Sequence, residues 1–203
     1  MVRYCGKGAL MMVVAGLLSA CSLVSPSQPV QHWAPTPAPV DATLPVQLSG
    51  LRILRPQAAD LLNGRYMLVQ PPGEPISIYS QARWSAPIPA LWRDYLIDAL
   101  QRDGRFAQVS GDLVRLDADY ELVSRLDAFQ TEYRAGQPEV VMRAYLQLVA
   151  ADSRTIIAER RLELSQPAES PQVAAVVDAF SSLLARASGE IAQWLLSVAG
   201  SQP

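Results

Sequence analysis

The sequence predicts an α+β domain, a curved antiparallel sheet covered on one face by two helices in an α/β sandwich. Three observations carry this. Segments 119–129, 139–150 and 154–164 alternate apolar with charged residues, and short turns join them, which makes neighbouring strands antiparallel. Two other segments, beginning at Pro87 and Ser170, repeat apolar residues at helical spacing on one face only. The stretch 46–201 has the length of one ordinary domain and contains no internal repeat.

Ahead of that domain the chain opens with a secretory signal over 1–20. Arg3 and Lys7 form the positive region, Ala9 to Leu18 the short apolar region, and small residues close it. The uninterrupted apolar run is shorter than the roughly 18–20 residues a membrane span needs. The Leu18-Ser19-Ala20-Cys21 stretch resembles the bacterial lipobox, which implies cleavage before Cys21, a diacylglycerol on its thiol and an N-acyl chain on the new terminus. Two or three acyl chains anchor far more firmly than one, since each buried CH₂ adds about 0.8 kcal/mol. Segment 21–45 follows as a tether. It holds six prolines among Ser, Thr, Ala and Gln and has no period to bury, so it reads as an extended linker reaching roughly 70 Å. Trp33 within it either meets the lipid interface or docks on the domain.

The elements of the domain follow in order. Val46 to Leu54 reads as a strand bent or bulged at Gly50. Asn63-Gly64 makes a turn into a strand over 65–70, and Pro71-Pro72-Gly73 breaks it. Ile76 to Tyr79 forms a third strand, with Ile76, Ile78 and Ser80 on one face. Pro87 and Pro89 suit the first turn of a helix carrying Ile88, Leu91, Trp92, Tyr95, Leu96, Ala99 and Leu100 inward, and Gly104 ends it. Phe106 and Val109 mark a brief strand. The meander comes next, with Tyr120, Leu122, Leu126 and Ala128 inward on its first strand. Ser170 and Pro171 then open a helix of roughly 40 Å, with Val176, Phe180, Leu183, Leu184, Ala187, Ile191 and Leu195 on its stripe. Its back is small and nearly uncharged (Ala175, Ala179, Ser182, Ala185, Ser188, Gly189, Ala192), either a bland surface or one that packs on a second copy or a partner.

Composition narrows the function. Of 17 basic residues, Arg3 and Lys7 leave with the signal, so 15 remain against 19 acidic residues, a formal charge of −4. No basic block survives, which argues against nucleic acid or an anionic bilayer as the main partner. Cys5 also leaves, so Cys21 has no disulfide mate. The sole histidine, His32, lies in the proline-rich segment without a second histidine or a cysteine, so neither a catalytic histidine nor a metal site is expected. The serines lack a base and the carboxylates form no constellation, so no enzyme and no cofactor are expected.

The stretch Ile78-Tyr79-Ser80-Gln81-Ala82-Arg83-Trp84 before a proline-led helix resembles the ABC-type transport auxiliary lipoproteins, a family that includes the paraquat-inducible protein C-like lipoproteins. So do Asp119-Tyr120-Glu121-Leu122 leading to Ala128-Phe129, Leu148 to Arg154, and the helix from Ala174 to Leu195. The chain departs from that pattern at Gln81 and Thr155, where the family usually has glycine. The resemblance implies a partner of an MCE transport system, in which an inner-membrane ABC transporter works with a periplasmic MCE-domain protein to move lipids between membranes. The lipoprotein is its outer-membrane-side component, and some members form rings. Ser22 is not the aspartate that retains many lipoproteins in the inner membrane, so the expected location is the periplasmic face of the outer membrane.

Four residues are docking candidates. Arg83 and Trp84 are either a carboxylate-paired arginine with a core plug, or a docking edge, since Arg and Trp are favoured interface anchors. Tyr133 and Arg134 lie at the tip of a hairpin running to Pro138. The rival functions are a lipid carrier, which needs an apolar cavity, and a lipoprotein activator of a cell-wall synthase, which needs the same anchor, tether and small domain.

Overall fold

The computed structural model describes residues 29–37, 47–114 and 116–199. The signal, Cys21 and tether residues 22–28 and 38–45 lie outside them. Among the described residues nine strands and two helices follow in order: β1 (Gln31–Trp33), β2 (Leu48–Ile53), β3 (Gln57–Ala58), β4 (Tyr66–Gln70), β5 (Ser77–Trp84), α1 (Ile88–Asp103), β6 (Phe106–Gly111), β7 (Tyr120–Arg134), β8 (Gln137–Ala150), β9 (Ile156–Pro167) and α2 (Val173–Ala199). All nine strands belong to one sheet. The predicted α+β architecture, two helices on a curved sheet, is the one observed.

The antiparallel meander is present as β7-β8-β9. The other edge of β7 is shared, one strand after another. β2 pairs with it at Tyr120–Leu122, β3 at Arg125–Leu126 and β4 at Thr131–Glu132, all in parallel. β6 extends the β2 end and β5 with β1 the β4 end, so the sheet is mixed. Short turns reveal only sequential neighbours. The parallel joins arise because β2, β3 and β4 follow one another along a 15-residue strand that is longer than any of them.

A β-bulge between Leu126 and Ala128 changes the phase of β7. Before it Leu122 and Leu126 face the core; beyond it Phe129 and Thr131 do, opposite Met142 and Val140. Strict alternation predicts Ala128 inward; Ala128 is buried, but the extra residue makes Phe129 the one that joins the core cluster. The aromatic centre of the core sits at this point. Phe129 stacks on Phe180 of α2 with centroids 4.4 Å apart. Trp84 of β5 meets both edge-on, at 5.7 Å and 5.2 Å. All three are fully buried and tie sheet to helix. The face away from the helices is a charged ladder: Arg52–Glu121, Arg125–Asp127 and Arg143 between Glu132 and Glu163.

Local signals hold at several termini. Pro87 is the N-cap of α1, and Gly104 ends it in the left-handed conformation at φ 78°. α2 begins at Val173, two residues after the predicted first position, with the Gln172 amide donating to Ser170 Oγ at 3.4 Å. Gly50 is neither bend nor bulge, since β2 pairs in unbroken register with β6. It is a close approach: a Cβ there meets Ala118 Cα at 3.1 Å and the Asp119 amide nitrogen at 3.2 Å.

The amino-terminal segment belongs to the fold. Gln31, His32 and Trp33 pair in parallel with Ala82, Arg83 and Trp84, and the Ser85 amide donates to the Trp33 carbonyl at 2.7 Å. The chain then crosses to the helices, where the Thr36 amide donates to Ser181 Oγ at 3.0 Å and Tyr95 Oη to the Thr36 carbonyl at 3.2 Å. Trp33 docks on the domain and His32 is exposed. The tether assigned to 21–45 is therefore interrupted by a folded strand. Its proline-rich composition hid this because a three-residue edge strand needs no periodicity. Part of the bland back of α2 is not surface: Ala179, Ser188 and Ala192 are buried within the protomer.

Candidate functional site

The sequence-derived candidates divide between two places. Arg83 and Trp84 sit at the end of β5, where Leu68 pairs with Ile78 but Tyr66 pairs with Arg83. Tyr79 to Ala82 thus oppose Met67 alone, a wide bulge. The Arg83 guanidinium closes it. Its Nη1 donates to the carbonyls of Ala82 at 2.7 Å, Tyr79 at 3.2 Å and Ser80 at 3.4 Å. Its other side lies over the Tyr66 ring, 4.8 Å from the centroid. Arg83 therefore binds backbone oxygens rather than the expected carboxylate, and Trp84 is in the core with no surface to offer. Gln81, where the family usually has glycine, is exposed and lies outside the positive-φ positions, so the bulge does not require glycine there.

Tyr133 and Arg134 lie at the far end of β7, some distance from that bulge along the sheet. Ala135 and Gly136 both have positive φ, 50° and 79°, the two-residue hairpin turn that matches strand twist. Arg134 is well exposed and pairs with Glu139 at 3.1 Å. Just below, Glu132 takes Arg143 in a fork, at 2.9 Å and 3.0 Å. Those hydrogen bonds hold the Glu132 carboxyl below its ordinary range against the opposing effect of burial.

A surface that residue patterning missed lies at the other end of the sheet. The connection from β6 to β7 leaves Leu113, Val114 and Leu116 at 82%, 50% and 45% exposure. Its base is fixed. Arg93, buried in α1, pairs with Asp112 at 2.5 Å, and Arg52 Nη2 donates to the Leu116 carbonyl. Asp119 accepts from Ser49 Oγ and from the Gly50 amide at 3.0 Å, which lowers its carboxyl from the usual value. The signal in the sequence was three apolar residues inside a Gly-Asp…Asp-Ala-Asp connection too short to bury them.

Among the described residues no group of three or more His, Cys, Asp or Glu is placed to hold a metal. No described helix is long and apolar enough to cross a membrane. The depressions on the surface are open and mixed in character; one is lined by Asp119, Tyr120, Asp152 and Ile156, another by Arg52, Leu54 and Asp112.

Comparison with known proteins places this fold. The family model for the ABC-type transport auxiliary lipoprotein component matches residues 33–192. The chain belongs to that family. The match begins at Trp33, consistent with β1 being part of the folded unit. A crystal structure of XCC0632 from Xanthomonas campestris, assigned to DUF330, is 25% identical, with a TM-score of 0.74 over 85% of this chain and 98% of that one. The hypothetical protein CT253 from Chlamydia trachomatis shares the fold at 10% identity, with a TM-score of 0.52 over 76% of this chain and 99% of that one. An uncharacterised protein of Bradyrhizobium diazoefficiens is 26% identical over 189 residues, which are 92% of this chain and half of that relative's length. The family description, an auxiliary lipoprotein component of ABC-type transport, implies an envelope-associated, membrane-anchored protein.

Proposed function

We propose that this auxiliary lipoprotein is the outer-membrane-anchored periplasmic component of an MCE/ABC-type intermembrane lipid transport system, and that it acts by docking and assembly. The observation that carries the proposal is the family match over residues 33–192, together with a lipobox-like Leu18-Ser19-Ala20-Cys21 ahead of it. The interior supports an assembly role over lipid carriage: the space between sheet and helices is filled by Trp84, Phe129, Phe180 and their aliphatic neighbours. Lipid on Cys21, with Ser22 after it, accounts for the location. Self-association through α2 would use its exposed small residues Ala174, Ser182 and Gly189.

The test is affinity recovery of the tagged, lipidated protein from solubilised membranes. Recovery of an MCE-domain protein or an ABC transporter subunit is expected. Recovery of a penicillin-binding protein with neither component would instead establish the cell-wall activator.

A further inference from the structure

We propose that the free edge of β9 is an interface with a second copy of this chain. In it β9 pairs antiparallel with β9 of the other copy about a two-fold axis at Leu162, and the two α2 helices meet at Gly189. The inference goes beyond the transport role proposed above and does not depend on it.

The first argument is backbone chemistry. β9 is twelve residues long and, among the described residues, pairs with β8 alone. The Ala168 amide donates to the Pro138 carbonyl at 2.9 Å. In the same register Leu164 opposes Met142 and Leu162 opposes Ala144, so the even-numbered residues of β9 turn their amides and carbonyls to β8. Glu159, Arg161, Glu163 and Ser165 turn theirs away from it. The Ser165 carbonyl bears this out, since it accepts from Arg186 Nη2 of α2 at 2.7 Å. An open edge of this length is a template for another strand.

The second argument is charge, and it selects the occupant. Glu159, Arg161 and Glu163 alternate in sign and share the outer face with Arg143 and Gln147. On that face Arg125 has Asp127, and Arg143 has Glu132 and Glu163, whereas Arg161 has no ion pair among the described residues. A two-fold axis at Leu162 sets Arg161 of each copy opposite Glu163 of the other and Glu159 opposite Ser165, with Leu162 against Leu162 on the helix side. An axis at Arg161 or Glu163 opposes like charges, and one at Arg160 brings two copies of that arginine together. Unlike charges directly across a strand pair stabilise it and like charges destabilise it. The charges that turn away foreign strands are therefore self-complementary about Leu162.

The third argument is Gly189. It lies inside α2, where glycine lowers helix stability relative to alanine. Nothing within the protomer requires it: its φ is not positive, and a Cβ there meets no atom within 4 Å. Arg160 pairs with Glu190 at 2.8 Å and Arg186 holds Ser165, so the 186–190 turn of α2 lies beside residues 160–165 of β9, level with Leu162. A missing side chain at that level lets the two helices approach closely across the axis.

The test is sedimentation velocity of the full lipidated chain in detergent, with micelles in excess, to give a dimer dissociation constant. Arg161→Glu and Glu163→Arg each oppose like charges in this register, and the double variant Arg161→Glu/Glu163→Arg restores unlike ones with the signs exchanged. A wild-type dimer weakened about tenfold by each single variant and by Gly189→Leu, and restored to within about threefold by the double variant, supports the proposal. Restoration separates the interface from effects inside the protomer, because the double variant still lacks the Glu163–Arg143 pair. A wild type that stays monomeric overturns the proposal. A dimer or larger assembly indifferent to Glu163→Arg and Gly189→Leu overturns it too, as does weakening by the single variants without restoration by the double.

Discussion

Replacing Trp84 distinguishes a core role from a docking role. The indole is fully buried, and it meets Phe129 at 5.7 Å and Phe180 at 5.2 Å. Truncation to alanine removes its transfer free energy and leaves a cavity between β5 and α2, about 3–5 kcal/mol by analogy with other buried aromatics. That range already includes the two edge-on contacts, each worth about 0.5–1.5 kcal/mol. Against a total stability of about 5–15 kcal/mol, this is a large fraction. With a urea slope of about 2 kcal/mol per molar, Trp84→Ala lowers the unfolding midpoint by about 1.5–2.5 M. Trp84→Phe keeps a ring in the site and loses less. Urea titration followed by circular dichroism reads both. Where Trp84→Phe remains folded, it recovers transport components as wild type does. A Trp84→Ala midpoint within 0.3 M of wild type, taking about 0.5 kcal/mol as the limit for surface substitutions, would refute the packing argument. Normal folding of Trp84→Phe with lost recovery would show that the indole serves docking.

Three further outcomes follow from the same structure. Gly50→Ala forces a Cβ against Ala118 and Asp119 and costs about 1–3 kcal/mol, read as a lower melting temperature. The Glu132 carboxyl is held low by Arg143, so its stabilisation is complete above the ordinary carboxylate range and is lost as pH falls through the lowered folded value; Glu132→Gln lowers stability at pH 7 and flattens the acid limb of a stability–pH curve. Trp33→Ala loosens β1 from β5, and amide exchange at Ser85, which donates to the Trp33 carbonyl, rises well above that of the β7–β8 ladder.

The fold was legible where physics is local. Alternation in 139–150 and the apolar stripe of 173–195 place β8 and α2, and Pro87 and Gly104 bound α1, because each rests on period or backbone dihedral alone. Non-local features were not legible. The bulge at Asp127 puts Phe129 into the core cluster beside a buried Ala128, and nothing in a single sequence marks where an extra residue is inserted. Gly50 reads as a bend, yet its need comes from Asp119, 69 residues away. Edge pairing of Gln31–Trp33 depends on the open side of β5 and not on its own composition. Arg83 and Trp84 stand out as a motif, but only the register between β4 and β5 shows that the arginine holds a bulge and the tryptophan fills the core. The loop at Leu113 carried its signal openly, as apolar residues with no period to bury them.

In the proposed arrangement, lipid on Cys21 holds the folded domain at the outer membrane. Metabolic labelling with an alkyne-bearing fatty acid, followed by density separation of the two membranes, measures it directly. Label is expected on wild type in the outer-membrane fraction and none on Cys21→Ala. An unlabelled wild-type protein, or equal label on both, would contradict it.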